Sequence, residues 1–381
     1  MTAPEPGLVR YGDASLSDLL PSVLASLGVA AEPNPLALDP CTSAVVLLVD
    51  GLGWNLLRAH PDQAPFLSGL AGRSLTAGFP TTTAASIASL GTGLPPGEHG
   101  LTSYTSRLPE LSEPIGWLSW QGAYSGNNLL ETVSPEQLQP RPTALQRAQA
   151  AGIEVCVVSA RAFEGSGLTR AVLRGGRYVG VLTPAEMAAE VAVAAAGPQP
   201  NLTYCYLSEL DLVGHGNGVG SDAWRVQLGL IDRTVELLAA RLPHRTRLLI
   251  TADHGMVDVL PQDTVDYDAE PALSHGVRLI AGEARARYLH ADPADLARVR
   301  QTWLERLGPQ FEVWTREQVI DAGWFGPTVS PQVRERIGDL IVLATGRGAI
   351  VRGRAEKRLS QLVGQHGSTT EDELLVPLLQ R

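Results

Sequence analysis

Short apolar runs separated by helix-like stretches constrain this chain more than any other feature. Residues 45–49, 154–159, 204–207 and 248–251 are β-branched or apolar runs bounded by turn residues, each of strand length. Between them, residues 144–151, 185–196 and 222–242 carry helical patterns. The last places Leu228, Ile231, Val235, Leu238 and Leu242 at three- and four-residue intervals, with Arg225, Asp232 and Arg233 on its other faces. Such alternation predicts a mostly parallel central sheet with helices on both faces, because parallel strands need crossover connections that cover the sheet.

The chain has 381 residues, 44% of them hydrophobic and 18% charged, enough for one large α/β core with insertions. A single domain over residues 1–381 is therefore expected. Two stretches break the alternation. Residues 102–142, rich in Ser, Gly, Pro and Trp, read as an irregular excursion over the sheet edge. Residues 260–336 contain an amphipathic helix at 295–307 and read as a small inserted α+β subdomain, followed by a return strand at 339–344. Both are expected to flank whatever site the strand ends form.

Chemistry-bearing residues follow several of the strand-like runs. They are Asp50 in VVLLVDGLG, Asp211 and His215 in DLVGHGNG, Asp253 and His254 in TADHGM, and a late His366 in GQHGS. In an open α/β sheet, residues just beyond the carboxyl ends of strands gather along one edge. Three Asp and three His gathered there form a ligand set for two divalent metal ions. The segment GFPTTTAASIASLG adds a second signal. Thr81, Thr82 and Thr83 precede a helix-prone run at 84–90, and a helix N-terminus favours a phosphate. Simple N-capping by one threonine suits the same position. The metal-type residues elsewhere tip the balance towards a nucleophile.

Five motifs occur in a family order: VDGLG, PTTTAAS leading into TGLPPGEHG, DLVGHG, ADHGM and the terminal HG at His366. Together they resemble the alkaline phosphatase superfamily, most closely its nucleotide pyrophosphatase/phosphodiesterase (type I phosphodiesterase) family, over about residues 44–375. The resemblance implies an alkaline-phosphatase-like three-layer α/β sandwich and hydrolysis of phosphodiester or nucleotide pyrophosphate bonds. It implies that Thr83 is the nucleophile and forms a phosphothreonine intermediate. Asp50, Thr83, Asp253 and His254 would hold one metal ion, and Asp211, His215 and His366 the other. Zinc suits such nitrogen and oxygen ligands, with manganese as the alternative.

One position departs from the family. An Asn that commonly binds a phosphate oxygen is replaced by Tyr104, whose hydroxyl could donate a similar bond, with Asn127 or Asn128 as other candidates. A phosphomonoesterase or phosphonate hydrolase using the same site therefore stays open beside the diesterase. No additional phosphomutase signature is present, and no CxPxR-like sulfatase motif occupies the nucleophile position. A metal-binding pseudoenzyme is the reading from a different class. A complete ligand set with an intact Thr83 argues against it.

The net charge of −10 argues against binding a nucleic-acid scaffold. A small phosphorylated substrate such as a nucleotide remains compatible, since bound metals reverse the local field. The Ala-rich stretch around Met187 is too short to span a membrane. MTAPEPGLVRYGD lacks a basic region followed by an apolar one, so no membrane association and a cytoplasmic location are expected. Cys41, Cys156 and Cys205 form no CxxC pair, and the latter two read as buried hydrophobes. Among the remaining histidines, His99 is expected to stabilise a turn, His275 to be structural, and His60, His244 and His290 to lie on the surface. Trp117, Trp120 and Tyr124 read as loop packing rather than a base-stacking site. FEGSGLTR reads equally as a phosphate-contacting loop or an ordinary strand-to-helix turn. Glu209 reads as a partner of Asp211 or as a solvated acid.

Overall fold

The computed structural model describes Glu5 and residues 7–381; residues 1–4 and 6 of the stretch MTAPEPGLVRYGD lie outside the described residues. The apolar runs become strands: β1 (Ser43–Val49), β3 (Glu154–Ala160), β5 (Asn201–Leu207) and β6 (Thr246–Thr251). Three further strands join them, β2 (Ala71–Thr76), β4 (Arg177–Val181) and β11 (Leu375–Gln380). Among the described residues these form a seven-stranded sheet in the order β2–β11–β6–β1–β5–β3–β4. It is parallel from β6 through β4, and β11 runs antiparallel to both of its neighbours. Every residue of β1 is buried, as expected for a central strand covered on both faces.

The helices Pro184–Ala195 and Asp222–Arg241 cover the sheet, and the predicted apolar stripe of the second is buried at Leu228, Ile231, Val235 and Leu238. Asp232 departs from its expected outer face. It is 5% exposed and accepts the Leu67 N–H at 2.8 Å, capping the start of the Pro65–Gly69 helix.

The predicted return strand at 339–344 is instead part of the insertion. Leu340–Ala344 (β10) lies in a four-stranded antiparallel sheet with β7 (Val277–Glu283), β8 (Ala286–Ala291) and β9 (Phe311–Thr315), ordered β7–β8–β10–β9. The inserted lobe thus extends beyond residue 336, and β11 is the late strand that returns to the central sheet. An apolar run of strand length carries no information about which sheet it joins. One face of the lobe packs on Trp303 and Val299 of the helix Leu296–Arg306. Its other face meets Phe79, which packs edge-on against Trp324 and Phe325 at 5.0 and 5.3 Å between ring centroids. The lobe is thereby wedged against the segment that leads into Thr83.

In the excursion at 102–142, Trp117 and Trp120 are fully buried, and their ring nitrogens donate to Ser106 Oγ (3.0 Å) and the Val133 carbonyl (2.8 Å). Tyr124 reaches across to the lobe and donates to the Ile280 carbonyl at 2.7 Å. No helix among the described residues is long and apolar enough to cross a membrane.

Candidate active site

The parallel register brings distant residues to one sheet edge. Val49 pairs with Leu207 and Leu48 with Thr251, so β1, β5 and β6 end side by side. Asp50 follows β1, and its N–H donates to the Leu207 carbonyl at 2.8 Å. Asp253 and His254 follow β6. Asp211 and His215 lie one turn apart on the helix Glu209–Asn217 that follows β5. His366 arrives just after the short strand Gly364–Gln365.

Thr83 is the first residue of the helix Thr83–Thr92, which is buried throughout and ends at Gly93 with a left-handed φ of 69°. The three threonines divide their work. Thr81 Oγ1 donates to the Ser368 carbonyl (2.8 Å) and accepts the Gly367 N–H (3.0 Å), fastening the His366 loop. Thr82 occupies the N-cap position but makes no side-chain capping bond. Thr83 Oγ1 lies 3.1 Å from His254 Nε2. Capping therefore does not account for the run.

Each histidine of the cluster presents Nε2 to the site for the same reason. His215, His254 and His366 place Nδ1 against the carbonyls of Gly364 (2.7 Å), Gly255 (2.9 Å) and Thr81 (2.8 Å). A carbonyl only accepts, so Nδ1 carries a proton and Nε2 is the ring nitrogen turned to the site, the one a metal ion would engage. His254 Nε2 lies 3.5 Å from Asp50 Oδ1 and 3.4 Å from Asp253 Oδ2. His215 Nε2 lies 3.3 Å from Asp211 Oδ2, and His366 Nε2 lies 3.8 Å from Asp211 Oδ1. Two overlapping groups have ligand atoms within 4.8 Å of one another: Asp50, Asp253 and His254, and Asp211, His254 and His366. The rings of His254 and His366 stack 3.5 Å apart, so His254 stands between the groups.

The charges are not balanced by protein alone. Burial foremost, then the charges of Asp253 and Asp211, push the Asp50 carboxyl well above its ordinary range. Burial likewise raises Asp253. Burial, the largest single influence, opposes ionisation of Asp211, but the hydrogen bond from His215 and the charges of His215, His366 and His254 together outweigh it and hold the carboxyl down at about 2. Burial and the neighbouring His254 push the His366 imidazole well below its usual value. Asp50 Oδ1, Asp211 Oδ1 and Asp253 Oδ2 are buried without a hydrogen-bond donor among the described residues. Buried carboxylate oxygens without donors are costly. Carboxylate oxygens and imidazole nitrogens at this spacing suit divalent cations, which would remove that cost.

These residues open on a cleft of about 720 Å³, with Asp50, Thr83, Asp211, His215 and His366 in its wall. Tyr104 also lines the cleft, whereas Asn127 and Asn128 are exposed and absent from its lining. FEGSGLTR contributes Phe163, Ser166, Leu168 and Thr169, but Arg170 turns away to pair with Glu136 at 2.9 Å. His99 is buried and accepts the Leu101 N–H (3.1 Å) while contacting Ser89 Oγ (3.1 Å), a turn-fastening role. His290 departs from its expected surface position: it is 6% exposed, and burial lowers its pKa to about 4. His275 is exposed and lies outside the cleft lining. Glu209 keeps a buried oxygen without a hydrogen-bond partner among the described residues.

Three contributors lie outside the motifs that the sequence singles out. Tyr206 donates a short hydrogen bond to Asp50 Oδ2, leaving Oδ1 free for the cluster. Glu283, at the end of β7, brings a buried carboxyl within 3.8 Å of His366 Nδ1, and burial pushes that carboxyl well above the ordinary range. Arg287 of β8 lines the cleft from the lobe. Tyr206 could have been suspected from its place at the end of a strand near Asp211. The other two come from a segment whose approach to the site only the fold reveals.

The family model of type I phosphodiesterase / nucleotide pyrophosphatase matches residues 44–369. No curated protein matches the chain in sequence. Among solved structures, human ectonucleotide pyrophosphatase / phosphodiesterase 5 is similar at 17% identity and a TM-score of 0.69, covering 89% of this chain and 87% of that one. The murine counterpart is similar at 16% identity and a TM-score of 0.68, covering 88% and 87%. An inactive form of the murine protein in complex with AMP gives 16% identity, a TM-score of 0.69 and the same coverage.

Proposed function

The chain belongs to the type I phosphodiesterase / nucleotide pyrophosphatase family and is a hydrolase of phosphoric esters; we propose that it cleaves phosphodiester or nucleotide pyrophosphate bonds through a covalent intermediate on Thr83. The observation that carries this reading is the cluster of buried, donor-less carboxylate oxygens on Asp50, Asp211 and Asp253 gathered by His254, whose Nε2 lies 3.1 Å from the hydroxyl of Thr83 at a helix N-terminus. Asp50, Thr83, Asp253 and His254 would hold one divalent ion, and Asp211, His215 and His366 a second, with zinc favoured over manganese. Bound there, the ions would make the Thr83 hydroxyl easier to deprotonate and neutralise charge on the phosphoryl and leaving oxygens.

The chain's own residues supply the rest. Thr83 Oγ1 attacks phosphorus in line, the P–O bond to the leaving group breaks, and a phosphothreonine forms. Water then attacks from the vacated side, breaking the bond to Thr83, so the two displacements retain configuration at phosphorus. Free N–H groups in the first turn of the Thr83–Thr92 helix face the phosphoryl oxygens and favour their charge. The hydroxyl of Tyr104 takes the place of the family's Asn as a donor to one of them. The AMP complex of the murine protein supports a nucleotide as the retained group.

The test is hydrolysis of bis-p-nitrophenyl phosphate beside p-nitrophenyl phosphate by metal-reconstituted protein, with metal content measured on the same sample. Preference for the diester with two ions per chain is the expected result. Preference for the monoester would keep Thr83 and the ions but transfer the activity to a phosphatase. Two bound ions with no turnover of any phosphoric ester would overturn the catalytic reading.

A further inference from the structure

The helix Asp222–Arg241 carries two apolar stripes, and only one of them is covered. Leu228, Ile231, Val235 and Leu238 are buried. On the other side, Val226, Leu230 and Leu237 are 64%, 59% and 37% exposed. Spacings of four and seven residues put these three on one outward line. Val193, on the helix Pro184–Ala195 that packs against this one, is 65% exposed. A row of large apolar side chains left in water marks a contact surface. No residue of the helix lines the cleft, so substrate does not account for the row.

The outward face matches itself when the helix is reversed. Asp222 and Ala223 stand at one end and Ala240 and Arg241 at the other, all four exposed. Consider two antiparallel copies related by a two-fold axis level with the Ile231–Asp232 peptide bond. Val226 then meets Leu237 of the other copy, Leu230 packs beside its own counterpart, and Ala223 lies level with Ala240. Asp222 lies level with Arg241, and the two small alanines leave the ends of the seam narrow enough for the arginine to cross to that carboxylate. Both charges are available. Asp222 has a loose contact with Arg225 at 3.5 Å, and Arg241 forms no ion pair among the described residues. Arg233 comes near its own counterpart at the axis, but its guanidinium is already turned to Glu236 of the same helix.

We propose that this helix face is the interface of a two-fold homodimer. The occupant is a second copy of this chain because apolar and charged positions are both complementary to themselves, which is what an isologous contact requires and a different partner would not. A helix of 20 residues is about 30 Å long, and one such pair with Val193 beside it falls at the small end of specific interfaces. Association in the micromolar range follows. The inference does not depend on the reaction assigned to the cleft.

The experiment is sedimentation velocity from micromolar to submillimolar concentration on native protein, Leu230→Glu, Asp222→Arg, Arg241→Asp and an equimolar mixture of the last two. Native protein is expected to pass from monomer to dimer across the series. Leu230→Glu sets a charge in the middle of the seam and should remain monomeric. Each charge variant alone places like charges level with each other, twice per dimer, and should weaken association about tenfold. In the mixture the two chains are complementary again, and a heterodimer of near-native affinity is expected. Both charge substitutions also oppose the helix dipole, so melting temperatures are read in parallel; rescue by mixing does not arise from a repaired helix. Native protein that stays monomeric throughout would overturn the interface and leave the face to a different partner. A mixture that associates no better than either variant alone, or a Leu230→Glu chain that dimerises like native, would overturn it equally.

Discussion

Two sets of buried charge meet around the His366 loop, and they are built in opposite ways. Arg285 of the lobe and Glu373 of the core are both fully buried and satisfy each other. Arg285 Nε and Nη2 donate to the Glu373 carboxylate at 3.0 and 2.6 Å, and Nη1 donates to the carbonyls of Gly346 and Gly348. Glu373 also accepts the Ser368 N–H and the Thr370 hydroxyl, while its main-chain carbonyl takes the Gly255 N–H at 2.8 Å. It therefore ties the lobe, the His366 loop and the residue after His254 to one point. Asp50, Asp211 and Asp253 each keep an oxygen with no donor among the described residues. Burial of charge is common to both sets. Incomplete satisfaction is what separates a site for a ligand from a structural clamp.

Replacing Thr83 by Ala breaks the comparison most sharply, because it removes the proposed nucleophile and leaves both charge sets in place. Turnover is expected to fall by about four orders of magnitude, with both ions still bound, the first by its remaining ligands Asp50, Asp253 and His254, and the melting temperature close to native. A residual rate near native would place the nucleophile elsewhere. Arg285→Met should act the other way, leaving Glu373 buried and unpaired at a cost of about 3–5 kcal/mol. Denaturant unfolding measures it, and the double variant Arg285→Met/Glu373→Leu should recover much of the loss. A single variant as stable as native would show that the clamp carries no structural weight.

The incomplete set also predicts a pH response. The folded carboxyls of Asp50 and Asp253 are raised, so their stability contribution is fully present below the unfolded value and lost as pH rises through the folded values. Asp211, held down at about 2, has the opposite sign: its contribution is present above the unfolded value and lost as pH falls through about 2. Chelated protein should therefore melt at a lower temperature in mildly alkaline than in mildly acidic buffer, and metal loading should remove or reverse that slope. Parallel melting profiles with and without metal would contradict the assignment of the cluster. Tyr206→Phe is the smallest change expected. Losing the hydroxyl that holds Asp50 Oδ2 should weaken metal affinity about tenfold, read by competition with a chelating dye. Unaltered affinity would leave that hydrogen bond without a role in ordering the ligand.

Much of this molecule was legible from local pattern. The four apolar runs became parallel neighbours because their all-apolar character suits strands covered on both faces. The long helix Asp222–Arg241 kept its predicted stripe, and the Asp and His residues after strands met at one edge. Strands β2 and β4 were less legible because Arg, Ser, Gly and Tyr interrupt their apolar pattern at the sheet edges. Strand β11 contains Pro377, which argues against a central strand, yet its pairing with β6 covers only Leu378–Gln380. The sheet in which residues 339–344 ended was not legible at all.

By itself, the sequence determined which side chains stand at strand ends and helix starts, since those positions follow from periodicity and turn chemistry over a few residues. Tertiary structure alone decided that Tyr206 orients Asp50, that Glu283 and Arg287 enter the cleft from the lobe, and that Glu373 fastens the loops beneath it. Tyr206 meets Asp50 across 156 positions, Arg285 meets Glu373 across 88, and His366 meets Thr81 across 285. No local period encodes such contacts. They exist because packing of the lobe against Phe79 and the register of the parallel strands bring those residues together.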